Sequence, residues 1–313
     1  MTQPTSQHNS TKTSGRRARS RTPRFRLQER DVAMVDAVHR HRVLSTAQIA
    51  ALFFPSLSVT VSTACRARLR HLTIAGFLAR EEELQARSEG RRPFLYMLTS
   101  AGRDLLMSEL GYAPEQLDWK PSYRDVKWPF LRHQLDINDA YVAFELCARH
   151  IGWRIERWVD DRMLKKQQTE RVTIRVGEKT QDVVVVPDAY FVLAYGETRL
   201  HFFLELDRAT MSVTAASQRT RSWQHRIQAY QAFFRSRLAT VHYQTDKIRV
   251  VTVTTGGGRR GLNLIQATLE VLGGRDGRYW FTGMEALQSG CALVEPIWHV
   301  VGHEGRHALL QRP

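Results

Sequence analysis

Between Gln28 and Arg42 apolar residues recur at helical spacing, as Val32, Val35 and the Ala37/Val38 pair, and this predicts an amphipathic first helix. A second helix is expected after a hydroxyl cap at Ser45 or Thr46, running through Ile49, Ala50, Leu52 and Phe53 to the break at Pro55. A third is expected from near Ser58 to Gly76. On its wheel Val61, Ala64, Cys65, Leu69, Leu72 and Ala75 share one stripe, while Thr63, Arg66, Arg70 and Thr73 lie opposite. Arg68 falls on the apolar side, so its guanidinium must snorkel or pair internally. After Gly76 come a strand at 77–80, a polar turn, a second strand at 91–98 and a helix capped by Thr99. Three helices, a hairpin with a basic tip (Arg87, Arg91, Arg92) and a closing helix are the order of a winged helix-turn-helix. In such modules the third helix enters the major groove.

Beyond residue 113 the periodicity lapses through Pro114, Pro121 and Pro129, as in a linker. A helix then spans about 130–150, with Leu131, Leu135, Ala140, Tyr141 and Phe144 on its buried side. Strands are expected at 153–159, 171–176, 181–186 continuing into 188–194, and 200–207. A helix carrying Trp223, Ile227, Tyr230 and Phe234 follows, with Trp223 and Tyr230 in the core, then a strand at 247–254 and a helix at 262–272. This order implies a mixed sheet covered by helices on both sides. The fold class expected is α+β, a winged helix-turn-helix followed by a mixed-sheet α/β domain.

Charge sharpens the picture. The chain carries a formal net charge of +15, which favours a polyanionic partner and says nothing of fold. Residues 1–26 hold seven basic side chains, Arg16, Arg17 and Arg19 among them, and no acid. With little apolar surface to offset ordering, this segment reads as a disordered basic arm that tracks phosphates. From residue 37 to residue 80 there is no acid at all, although Arg40, Arg42, Arg66, Arg68, Arg70 and Arg80 fall there. A DNA-facing surface requires such a stretch, because a carboxylate against the phosphates offsets a cation. No run of about 18 apolar residues is present, and residues 1–26 lack the apolar core of a signal peptide. Cys65, Cys147 and Cys291 form no CxxC pair, so a cytoplasmic protein with reduced thiols is expected.

Three carboxylates carry the candidate chemistry. Asp188 follows Pro187, and Glu205 and Asp207 end the next strand on one face. A hairpin would bring Asp188 beside them, and such a set, above all Asp188 and Glu205, suits Mg²⁺ and phosphate-ester cleavage. The spacing resembles the PD-(D/E)xK nuclease pattern. The lysine of that pattern is Asp207 here, and no lysine lies between Lys179 and Lys247. Its loss argues against cleavage unless Arg208, Lys165 or Lys166 substitutes. The run Thr254–Gly261 lacks the Lys-Ser/Thr of a phosphate loop and reads as a mobile basic turn. His299, His303 and His307 are interrupted by glycines and read as a loose tail rather than a metal site.

The segments STAQIAALFFPS, RARLRHLTIAGFLAR, YMLTSAGRDLL, LRHQLDINDAYVAF, VVPDAYFVL and FFLELDRATMS resemble the plasmid replication-relaxation family over about residues 28–285. The resemblance implies a DNA-binding protein of a plasmid or mobile element, acting in replication, transfer-origin relaxation or its control, with a nuclease-like second domain. His133, Asn138, Asp188, Glu205, Asp207 and Arg208 match positions the family's motifs emphasise. Two alternatives stand beside it: an Mg²⁺-dependent DNA endonuclease or nickase using Asp188, Glu205 and Asp207, and a non-catalytic adaptor docking a relaxase or replication initiator. The expected partner is double-stranded DNA, without a membrane, and with a homodimer left open. The expected division is a basic arm (1–26), a winged helix-turn-helix (27–113), a linker (114–128), a nuclease-like domain (129–285) and a C-terminal tail (286–313).

Overall fold

The computed structural model of the chain describes residues 26–54, 61–82, 93–117, 119–120, 128–167, 170–214 and 222–311. The first elements are α1 (Glu29–His41), β1 (Val43–Ser45), α2 (Thr46–Phe53), α3 (Thr63–Ile74), β2 (Leu78–Glu81), β3 (Leu95–Leu98) and α4 (Ser100–Leu110). Local chemistry sets their boundaries. Ser45 and Gln48 form a reciprocal capping box at α2. Ser62 accepts the Cys65 amide at the start of α3, and Thr99 the Gly102 amide at α4. The third helix thus begins at Thr63 and not near Ser58, which lies outside the described residues. Gly102 lets α4 approach β2, because a Cβ there would stand 2.2 Å from the Phe77 carbonyl oxygen. β1, β3 and β2 pair antiparallel in that order.

The remaining elements are α5 (Trp128–His150), β4 (Arg154–Asp160), α6 (Asp161–Gln167), β5 (Val172–Val176), β6 (Lys179–Val183), β7 (Ala189–Tyr195), β8 (Thr198–Asp207), α7 (Trp223–Arg235), α8 (Leu238–Tyr243), β9 (Ile248–Thr254), α9 (Gly257–Leu272), β10 (Tyr279–Gly283), α10 (Met284–Gln288) and β11 (His299–Val300). Six strands form one mixed sheet in the order β11-β10-β9-β8-β7-β4. Its β8-β9-β10 centre is parallel, and both flanks are antiparallel. The molecule is therefore α+β with a mixed sheet, as expected. β5 and β6 form a separate hairpin.

Period-two alternation sends Tyr190, Phe203, Val250 and Phe281 to one side of the sheet, where they pack with Trp223, Ile227, Tyr230 and Leu264 of α7 and α9. Phe191, Phe202, Leu204 and Val251 face the other side, against Ile137, Ala140 and Phe144 of α5. Each fully buried side chain of this size contributes about 1.5–3 kcal/mol. A third core fills the N-terminal elements and includes Tyr141 of α5. One helix therefore serves both cores, since Tyr141 turns away from its neighbours Ala140 and Phe144.

Three expectations are corrected. Residues 286–311 are not a loose tail: Trp298, Val300, Leu309 and Leu310 are buried, and Leu310 N–H donates to the Leu293 carbonyl at 2.7 Å. His299 lies in β11, and His307 pairs with Trp298 through the backbone. Gly257 and Gly258 open α9 rather than a mobile turn. Cys147 of α5 and Cys291 are joined as a disulfide with Cα atoms 5.0 Å apart, while Cys65 is free and buried. A separation of 144 residues leaves no spacing signature for that pairing, which only the packing of the C-terminal segment on α5 creates. Among the described residues no helix is long and apolar enough to cross a membrane.

Candidate functional site

α3 presents the first candidate surface. Cys65, Leu69 and Leu72 are buried, while Thr63, Arg66, Ala67, Arg70 and His71 are exposed. Arg68, on the inner side, donates to Asp31 of α1, as its wheel position requires. Among the described residues neither Arg66 nor Arg70 is engaged by a carboxylate. Thr73 differs from expectation: it is half-buried, and its hydroxyl donates to the Leu69 carbonyl at 2.9 Å. The other arginines of the acid-free stretch are held. Arg40 pairs with Asp36 at 3.0 Å, Arg42 with Asp160 and Asp161, and Arg80 stacks on Phe94 at 4.3 Å. Arg16, Arg17, Arg19, Arg87, Arg91 and Arg92 lie outside the described residues.

Asp188, just before β7, and Glu205, near the C-terminal end of β8, lie close enough for their charges to interact. Ala189 pairs with Leu204, so Asp188 sits beside the C-terminal end of β8, where its Oδ2 accepts the Leu206 amide at 2.7 Å. Its Oδ1 lies 3.2 Å from His133 Nε2 of α5. Glu205, 4% exposed, accepts from Arg226 Nη2 at 2.7 Å and from the Tyr230 hydroxyl, both on α7. Asp207, also 4% exposed, is bound by both arms of the Arg260 guanidinium at 2.9 and 2.7 Å, and by the Thr254 hydroxyl at 2.7 Å. Arg208 turns to Asp136 of α5 at 3.0 Å.

Proton affinities follow this packing. Burial pushes the Glu205 carboxyl up to about 7, against the pull of Arg226 and with help from Asp188. Burial lowers Arg226, yet the charge and hydrogen bond of Glu205, with Tyr230 and Asp188, together raise it, and the guanidinium stays protonated. The Tyr230 hydroxyl is driven well above its ordinary value by burial and then by Glu205. Burial depresses His133, but its bond to Asp188 together with the charges of Asp188 and Asp136 gives a net rise. Burial likewise raises Asp136 against the pull of Arg132 and Arg208.

Mg²⁺ binds several oxygens at about 2.0–2.1 Å in a near-octahedral shell and keeps waters of its own. The donor set here does not fit that demand, because cations already face the carboxylates: Arg226 on Glu205, and Arg260 across both oxygens of Asp207. Among the described residues no group of three or more His, Cys, Asp or Glu can hold a metal ion. The proposed stand-ins for the absent lysine are placed elsewhere. Arg208 is on Asp136, Lys165 is on Asp161 at 2.6 Å, and Lys166 is exposed on α6.

α5 links the carboxylate site to the N-terminal elements α1, β1 and α2. Asn138, fully buried, donates to the carbonyls of His41 at 3.2 Å and Val43 at 2.6 Å. These flank Arg42, whose φ of 66° is costly for a residue with a Cβ. Gln134 donates to Asn138 at 3.0 Å, and Gln48 of α2 donates to the Leu135 carbonyl at 2.9 Å and to Asp139 at 2.7 Å. His41 packs against Tyr141 with ring centroids 4.1 Å apart. Burial, with the Arg40 charge adding to it, holds its imidazole down to about 3, against a hydrogen bond with Asn138. Of these residues sequence reasoning missed Arg226, Arg260 and His41. For Arg226 a signal existed: it falls within the Trp223–Ile227–Tyr230 stripe of α7, where a charge requires a buried partner.

A family model described as replication-relaxation matches residues 36–247. No curated protein matches the chain. Among solved structures, restriction endonuclease FokI aligns over 84% of this chain and 43% of its own, with 10% identity and a TM-score of 0.28. The chain thus spans less than half of that enzyme, and the likeness is too slight to bear on fold or chemistry.

Proposed function

Because the chain belongs to the replication-relaxation family, we propose that it is a double-stranded-DNA-binding protein of a plasmid or mobile element, acting in replication, transfer-origin relaxation or their control. Its N-terminal elements work as a winged helix-turn-helix, with α3 in the major groove. One observation carries the reading: the outward face of α3 bears Thr63, Arg66 and Arg70, and no acid occurs from residue 37 to residue 80. Arg87, Arg91 and Arg92 hold adjacent phosphates, and the arm with Arg16, Arg17 and Arg19 adds sequence-independent affinity. Glu205 and Asp207, with the half-buried Asp188, serve as the anionic half of an ion-pair network. The guanidiniums on Glu205 and Asp207 favour this role over cleavage.

The test is fluorescence anisotropy on duplex DNA across a salt series. Deleting residues 1–26 flattens the slope of log K against log salt, by up to about 0.9 for each phosphate the arm had neutralised. Arg70→Ala reduces the preference for a selected site by about 1–3 kcal/mol. If both changes weaken every sequence equally, α3 is not the reading element. Supercoiled DNA incubated with Mg²⁺ or Mn²⁺ stays intact; nicking that Asp188→Ala abolishes would restore the nuclease reading.

A further inference from the structure

At 100° per residue, the core side of α3 centres on Cys65, Leu69 and Leu72. Thr63, Ala67, Arg70 and Ile74 fall on the opposite side, with Arg66 on the flank about 90° from the core centre. Ile74 is 71% exposed, the highest value among the large apolar side chains described. On the wheel it lies between Arg70 and His71, both exposed. A lone exposed aliphatic residue needs no explanation on an ordinary surface. This one closes the C-terminal end of the proposed groove-facing stripe, and a helical side chain leans toward the preceding turn, here that of Arg70.

We propose that Ile74 is a specificity-determining residue that packs on the 5-methyl group of a thymine in the major groove, with Ala67 forming the neighbouring apolar floor. This rests on the DNA-binding reading above and adds the base that is read. The chemistry divides along the stripe. A guanidinium suits O6 and N7 of guanine, and a branched aliphatic side chain suits the thymine methyl, which only A·T pairs display in the major groove. Four residues of helix rise separate Arg70 from Ile74 by about 6 Å. At about 3.4 Å per step on one strand, the thymine lies roughly two base pairs from a guanine that Arg70 reads.

The full chain is first used to select bound duplexes from a random pool. Each thymine of the selected site is then replaced singly by deoxyuridine, which removes only the methyl group, and affinity is measured for the wild type and Ile74→Ala. One replacement weakens wild-type binding roughly fourfold, the value of one buried methyl. Ile74→Ala binds the thymine duplex about that much more weakly and is indifferent to the same replacement. Because Ile74 is exposed, thermal stability serves as the control and is unchanged. If every deoxyuridine duplex binds the wild type as tightly as the parent, or Ile74→Ala keeps the full penalty, Ile74 reads no methyl. Retention of DNA without a preferred sequence overturns the inference but not DNA binding; retention of none overturns both. A change of oligomeric state in Ile74→Ala, with DNA affinity intact, would instead assign the face to an interface between copies.

Discussion

The outer face of α3 and the strand ends of β7 and β8 are both rich in arginine, yet their arginines have opposite surroundings. On α3, Arg66 and Arg70 look outward from a stretch that contains no carboxylate. At the strand ends Arg226, Arg260 and Arg208 are turned onto Glu205, Asp207 and Asp136. The first arrangement leaves charge available to a polyanion. The second consumes it inside the protein, where two charges desolvated together must satisfy one another. The contrast runs inside the acid-free stretch as well, since Arg42 and Arg68 are taken up by carboxylates from α6, β4 and α1. Net charge counts all these residues alike; only their partners separate a binding surface from a structural network.

The hardest blow to this comparison would come from Arg226→Ala, which strands Glu205 in the core and frees the Val186 carbonyl as well. A loss of about 3–5 kcal/mol in urea unfolding is expected, with the folded fraction binding DNA as before. Adding Glu205→Gln restores part of it. A loss below about 1 kcal/mol would mean that the strand ends are wetted and their charges available. Next in size is the junction. His41 is held near 3 in the folded chain against an ordinary 6.5, so below pH 6.5 the unfolded chain takes up a proton that the folded chain refuses. Stability therefore falls on acidification from 6.5 toward 3, by up to about 1.4 kcal/mol per pH unit from this group, and is flat with respect to it above 6.5. His41→Phe, which keeps a ring against Tyr141, should remove that component of the slope; an unchanged slope would show that other groups carry it. The smallest effect is expected at Thr73, whose hydroxyl is already satisfied by Leu69. Thr73→Ala should change neither stability nor DNA affinity by more than about 0.5 kcal/mol, and a larger loss of affinity would return Thr73 to the reading face.

Much of the architecture was legible. The inward Cys65, Leu69 and Leu72 of α3 (but not Ala64 and Ala75, which are exposed), the caps at Ser45 and Thr99, the strand alternation and the inward fate of Arg68 all follow from local patterns. The meeting of Asp188 with Glu205 followed from hairpin geometry. The identity of the cations on those carboxylates did not, because Arg226 and Arg260 arrive from helices 21 and 53 residues away. Short or irregular elements were also missed, among them α6, α8 and the folded C-terminal segment, whose few residues carry too little periodic signal to stand out.

The sequence alone therefore determined the order of the longer helices and strands, most of the apolar faces that build the cores, and the acid-free run from 37 to 80 that makes α3 a candidate surface. Tertiary structure decided which charges remain available. It set Asn138 across the two carbonyls flanking Arg42, let α5 serve both cores, and closed cations over Glu205 and Asp207. The reason is physical: backbone preference and amphipathicity act within a few residues, whereas a buried charge is neutralised by whatever group the fold brings within about 3 Å, at any distance along the chain.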